Sequence, residues 1–153
     1  MISVRRAQAG EAQALTALCM RSKSHWGYDD AFMRLSRASL TVSDADIASG
    51  HVLVATDDDR IAGVARVEPD GELGVMFVDP PAMGRGAGRA LFAEAAALAR
   101  RLGARAMPIL ADPNAAPFYA RMGARFVAHA PSDAIPGRTL PLYEYDLTDE
   151  ETP

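Results

Sequence analysis

The sequence predicts one α/β (α+β) domain, a twisted, mostly antiparallel sheet flanked by helices. Three observations lead there. Apolar side chains recur with a period of two through residues 51–78, interrupted only by turn signals. A helical stripe then follows, with Leu91, Phe92, Ala95, Leu98, Ala99 and Leu102 at i, i+4, i+7, i+8 spacing. Between the two stand Gly84, Gly86 and Gly88, alternating through a strand-to-helix turn.

The elements can be justified in order. Ile2 and Val4 alternate with Ser3 and Arg5, an opening strand within residues 1–8. From Gly10 to about Arg21, Leu15, Leu18 and Cys19 make one helical face. Asp29 or Asp30 caps a second helix bearing Phe32, Met33 and Leu35. Ser43 with Asp46 three residues later predicts a short capped turn of helix, ended by Gly50. Strands 51–56 and 60–68 pair across Asp57-Asp58-Asp59, and Asp70-Gly71 turns the chain into 72–78, a three-stranded meander. After Pro80-Pro81 the long helix runs to Leu102 and stops at Gly103. A buried strand over 104–111 contains Pro108, which removes a ladder donor and implies a bulge or an edge. A helix at about 114–122 and strands at 124–130 and 139–147 complete a single domain, residues 1–147, leaving 148–153 as a short acidic tail.

Composition narrows the function. The 153 residues suffice for one core, and a net charge of −4, from 16 basic and 20 acidic residues, counts against a nucleic-acid partner. Arg85, Arg89, Arg100, Arg101 and Arg105 still crowd into one stretch. Cys19, the only cysteine, can form no internal disulfide, reads as a packing thiol and leaves no zinc-type spacing, so no metal is expected. No long apolar run is present, so neither a signal peptide nor a membrane partner is expected, and the cytoplasm is the expected compartment.

The run Met83-Gly84-Arg85-Gly86-Ala87-Gly88-Arg89 suits an anion. Its glycines let successive N–H groups point into one concavity, and the helix N-terminus adds partial positive charge. The dinucleotide pattern G-x-G-x-x-G fails at Arg89 or Leu91, and the P-loop pattern fails at Arg89 as well.

Two segments together resemble the GCN5-related N-acetyltransferase (GNAT) family. One is Met76-Phe77-Val78-Asp79-Pro80 followed by Met83 to Gly88; the other is Ala115, Phe118, Tyr119 and Gly123. The order of elements is similar to that fold over roughly residues 2–147. Met83 stands where the family has Gln or Arg, and Asp112 where it often has Asn. The resemblance implies the GNAT acyl-CoA N-acyltransferase fold, splayed where acetyl-CoA inserts, and direct transfer of an acetyl group to a small-molecule amine acceptor in a ternary complex. It implies that Met76 and Val78 offer backbone groups to the pantetheine arm, and that the amide of Phe77 or a neighbour faces the thioester oxygen. Gly84, Arg85, Gly86, Ala87, Gly88 and Arg89 would hold the pyrophosphate, with Asn114 and Phe118 against the co-substrate. A non-catalytic acyl-CoA-binding module and an acetylase of a protein target are the rival readings, and a homodimer stays open.

The reaction needs an acid for the departing thiolate and a base for the ammonium. Tyr119 sits where the family places the acid; its bland alternative is a core aromatic, but Phe118 is expected to take the core-facing role. Glu72 is a candidate base, expected by alternation to share a face with Gly74, Met76 and Val78. The alternatives are a solvated carboxylate, His25 as base, or a water chain. Ser22 to Tyr28 is expected to link the first two helices over the acceptor side, with His25, Trp26 and Tyr28 as substrate contacts or merely a lid. Arg138, on the loop with Ser132, either clamps an acceptor carboxylate or is a surface arginine. These two segments are similar to those of a bacterial group of acetyltransferases without assigned substrates, so they name no acceptor.

Overall fold

The computed structural model describes residues 1–148. The tail expected at 148–153 therefore lies, beyond Thr148, outside the described residues. In chain order the elements are β1 (Ile2–Arg6), α1 (Ala12–Ser24), α2 (Asp30–Leu40), α3 (Asp44–Ala48), β2 (Val52–Asp57), β3 (Arg60–Val67) and β4 (Leu73–Val78). A 3₁₀ turn at Pro80–Ala82 leads to α4 (Ala87–Arg101), β5 (Ala106–Leu110), α5 (Ala116–Arg121), β6 (Arg125–Pro131) and β7 (Thr139–Asp146).

Local chemistry accounts for most boundaries. Asp29 caps α2 by accepting from the Phe32 amide at 2.8 Å. Ser43 and Asp46 form a reciprocal capping box on α3. Asp58 and Asp59 adopt left-handed φ values of 49° and 72°, which a two-residue hairpin demands. α1 runs three residues further than its apolar period predicts. Ser22 and Lys23, expected on a connection, are buried in its last turn.

The strands form two antiparallel sheets, ordered β1-β2-β3-β4 and β5-β7-β6. The expected meander is thus extended by β1, which pairs with β2. One apolar cluster packs α4 against one face of the larger sheet, with Leu91, Ala95 and Ala99 fully buried. The other packs α1 and α2 on the opposite face, around Leu15, Leu18, Cys19 and Met33. Burial pushes the Cys19 thiol up to about 12, as suits a packing residue. Leu102, predicted on the buried stripe, caps α4 and is 36% exposed, because the helix has already left the sheet there.

β4 and β5 are the facing edges of the two sheets. Their beginnings touch: a Cβ on Gly71 would lie 2.5 Å from the Ala104 Cβ. Further along they part, and a cleft opens between Met76 and Val78 on one side and Ile109 and Leu110 on the other. Pro108 fits this arrangement. Ala111 donates to Pro141, so ladder bonds fall at odd-numbered positions of β5, and Pro108 turns its donor-less nitrogen toward the gap without breaking register.

Candidate active site

The phase of the β3–β4 ladder determines what the cleft offers. Asp79 donates to the Ala62 carbonyl at 2.8 Å, so the hydrogen-bonded pairs of β3 and β4 are Ala62–Asp79, Val64–Phe77 and Arg66–Val75. Met76 and Val78 consequently point their N–H and C=O groups away from β3, along an unpaired edge facing the cleft. The amide of Phe77 belongs to the ladder. Of the two alternatives expected, Phe77 or a neighbour, only the neighbours point their amides toward the cleft.

A bulge at Gly74 also breaks the two-residue period. Arg66 pairs with Val75 and Val67 with Leu73, leaving Gly74 as the extra residue, with Glu68 folded over it. Leu73 therefore packs in the same cluster as Met76 and Val78, whereas Val75 and Phe77 pack in the other. Glu72 accordingly lies on the face opposite Leu73, not with Met76 and Val78 as simple alternation predicts. It still lines the cleft. Burial raises its carboxyl above the ordinary range, and the charges of Asp70, Glu68 and Asp133 raise it further.

At the other end of the β4 edge is the glycine turn. Gly84 and Gly86 have φ of 81° and 93°, and no atom lies within 4 Å of where either Cβ would stand. Gly86 is the N-cap of α4 and supplies no side-chain cap, so the N–H groups of Ala87, Gly88 and Arg89 lack intrahelical acceptors and open onto the cleft. Arg85 points its side chain elsewhere, with its guanidinium 3.4 Å from Asp57. Across the turn, the Phe118 ring would touch a Cβ on Gly88 at 3.4 Å, and Val78 Cγ2 would touch it at 3.6 Å.

Tyr119 is 5% exposed and deeper than Phe118, reversing the expected order. Both rings face inward because α5 is short and covered on two sides, Phe118 lying over the start of α4 and Tyr119 beside Phe92 with centroids 6.2 Å apart. The Tyr119 hydroxyl finds no hydrogen-bond partner among the described residues, while no fully buried side-chain oxygen among them is left unpaired. Its hydroxyl therefore reaches the cleft that the residue lines. Burial pushes the phenol well up, and the charge of Asp112 adds to it.

The cleft, of about 740 Å³, continues to α1 and the β6–β7 loop. Sequence reading did not single out Lys23, whose ammonium lies 2.6 Å from Asp112. The Tyr28 hydroxyl donates to Asp112 at 2.8 Å and accepts from Arg138 at 3.0 Å and from Asn114 at 3.3 Å. Asn114 also donates to Asp112 from its amide and side chain, so both its side-chain bonds go to this network. Burial alone would raise the Asp112 carboxyl; Lys23, the Asn114 amide and Tyr28 together hold it below the ordinary range. Trp26 lines the rim at 46% exposure. His25 is exposed, edge-on to Trp26 at 5.4 Å and outside the cleft lining.

A family model described as an acetyltransferase (GNAT) domain matches residues 33–134, more than half of the chain. The chain belongs to the GNAT family. Membership makes it an acetyl-CoA-dependent N-acetyltransferase. Among solved structures, this acetyltransferase is similar to a GCN5-related N-acetyltransferase from Rhodopseudomonas palustris, at TM-score 0.77 and 25% identity over 94% of each chain. The PaiA N-acetyltransferase of Thermoplasma acidophilum, in complex with coenzyme A, shares the fold at TM-score 0.76 and 14% identity, over 95% of this chain and 99% of that one. YncA from Salmonella typhimurium, with acetyl-CoA, shares it at TM-score 0.69 and 22% identity, over 100% and 98%. No curated protein matches the sequence. Among the described residues no helix of the acetyltransferase is long and apolar enough to cross a membrane.

Proposed function

We propose that the cleft transfers an acetyl group from acetyl-CoA directly to the amine of a small-molecule acceptor. One observation carries this reading: the unpaired β4 edge leads from the glycine turn, past Val78 and Met76, into the wall that holds Tyr119 and Glu72. The residues suit the co-substrate. N–H groups of Ala87, Gly88 and Arg89 at a helix N-terminus match a pyrophosphate, and the free groups of Val78 and Met76 match an amide-bearing arm. Val78 adjoins Gly88, so Met76 lies further from the phosphate end, and its N–H is the donor assigned to the thioester oxygen. Phe118 flanks the arm; Asn114, engaged with Asp112 and Tyr28, positions that network instead.

Tyr119 serves the departing sulfur. Its raised phenol stays protonated at working pH, so it donates a hydrogen bond; full proton transfer to a thiolate whose acid has a pKa of about 8.5 is uphill. Glu72 takes the ammonium proton, directly or through water. Cys19 is sealed in the core and carries no covalent intermediate.

The test is thiol release from acetyl-CoA against a panel of amines and amino acids, which also separates catalysis from mere acyl-CoA binding. Tyr119→Phe keeps the ring and should lower kcat by about tenfold or more, with coenzyme A affinity and Tm nearly unchanged. A kcat within about twofold of the parent, where chemistry limits the rate, removes Tyr119 from the reaction.

A further inference from the structure

The network around Asp112 is unbalanced in charge. Lys23, 9% exposed, and Arg138, with its side chain 20% exposed, face one carboxylate, at 2.6 and 3.9 Å. Both cations lie over the stacked rings of Tyr28 and Phe32, whose centroids are 4.0 Å apart. Lys23 Nζ is 5.2 Å from the Tyr28 centroid, and the Arg138 guanidinium carbon is 4.9 Å from that of Phe32. Two positive charges against one negative leave a single positive charge in a largely buried network.

Hydrogen-bond capacity gives the same answer. Asp112 Oδ1 accepts from the amide and the side chain of Asn114, and Oδ2 accepts from Lys23 and Tyr28. A carboxylate offers about four acceptor sites, so Asp112 is saturated. Arg138 spends one donor, on Tyr28. Its other guanidinium N–H groups have no hydrogen-bond acceptor among the described residues, and Arg138 and Lys23 both line the cleft. The loop that presents Arg138 is already formed: Ser132 Oγ accepts from the amides of Ala134 and Ile135, and the Ser132 amide donates to the Arg138 carbonyl at 2.8 Å. Spare cationic donors on a prebuilt loop are a receptor for an anion.

We propose that Arg138 and Lys23 form a carboxylate-binding subsite, and that the acceptor is an amine that also carries a carboxylate, as an amino acid does. The assignment rests on the acetyl-transfer reading above. One residual charge matches a monoanion, whereas a phosphate would bring nearly two. The phosphates of coenzyme A have their own cradle, since no residue of this network comes from the glycine turn. Glu72 and Asp133 line the same cleft and supply the opposite charge for the ammonium end.

Matched pairs test this: amino acids and their carboxamides as acceptors, and N-acetylated acids and N-acetylated carboxamides as product probes in calorimetry. The parent should favour the acid of each reactive pair by at least about tenfold in kcat/KM and in affinity. Arg138→Gln should erase that preference through the acid alone, leaving the carboxamides and coenzyme A affinity unchanged; Arg138→Lys should keep part of it. Equal use of acids and carboxamides, a best acceptor without a carboxylate, or equal losses for both members of a pair in Arg138→Gln overturns the subsite. Weakened coenzyme A binding in that variant would assign Arg138 to the co-substrate instead. Absence of acetyl-CoA binding would defeat the catalytic reading, and product affinity would still decide the subsite on its own.

Discussion

At Glu72 burial and three neighbouring acids act in the same direction, and Arg66 pulls weakly against them. A base works only when deprotonated, so kcat/KM should rise with pH through a value above the ordinary carboxylate range. The stability sign is opposite: a carboxyl raised in the folded state stabilises the fold below its unfolded pKa, and that contribution is lost as pH rises through the folded value. Glu72→Gln should abolish the acidic limb of the rate profile and lower kcat by about a hundredfold, within the usual acid–base range. A pH–rate profile that keeps its limb in Glu72→Gln would transfer the role to a water chain or to His25, which stands exposed and edge-on to Trp26 of the lining. The cleft lining was only partly legible in the sequence. The place of Tyr119 follows from its spacing within a motif, whereas that of Lys23 depends on a partner 89 positions away and on a helix longer than its apolar period indicates.

At the scale of elements, hairpin turns and helix caps were readable because their chemistry is local: Asp70-Gly71, the Ser43–Asp46 box and the Asp29 cap each act within three residues. The bulge at Gly74 was not, since the residue that closes over it, Glu68, does so from across the hairpin. In the proposed reading, co-substrate binding depends on the start of α4. Gly86 has φ of 93° with open space around its missing Cβ, so an alanine there meets no protein atom and stands in the concavity. Gly86→Ala should cost about 1–2 kcal/mol of stability for the left-handed backbone. Coenzyme A affinity should fall by about tenfold, or 1.4 kcal/mol, as the methyl group keeps phosphate from the amides. Calorimetry on the folded variant that finds the parent affinity would remove the turn from the phosphate site.

Over the whole molecule, element order was legible in the residue pattern. The splitting of the sheet came only from the family resemblance, which implied a splay without saying that two sheets result. Periodicity says which residues alternate and is silent on which strand edges are left unpaired, and here the unpaired edges of β4 and β5 make the cleft. The sheets meet where Gly71 packs on Ala104, and Lys23 on Asp112 ties α1 across the opening to the segment after β5. The Gly71 contact lies at the closed end of the cleft between β4 and β5, so widening it should disturb packing and cleft together. Gly71→Ala would place a methyl group 2.5 Å from the Ala104 Cβ at φ 98°. Gly103→Ala is the control, with φ of 88° and nothing within 4 Å. Both carry the left-handed backbone cost of about 1–2 kcal/mol. Only Gly71→Ala adds overpacking, about 1–3 kcal/mol. At this chain length each kcal/mol lowers Tm by about 2–4 °C, so Gly71→Ala should melt roughly 2–12 °C below Gly103→Ala. Coenzyme A affinity should drop in the former and hold in the latter, because β4 and β5 must diverge at a set angle for one arm to fit between them. Equal melting temperatures for the two variants would mean that the sheets yield at Gly71 without cost, and the cleft would then owe its shape to the Lys23–Asp112 tie.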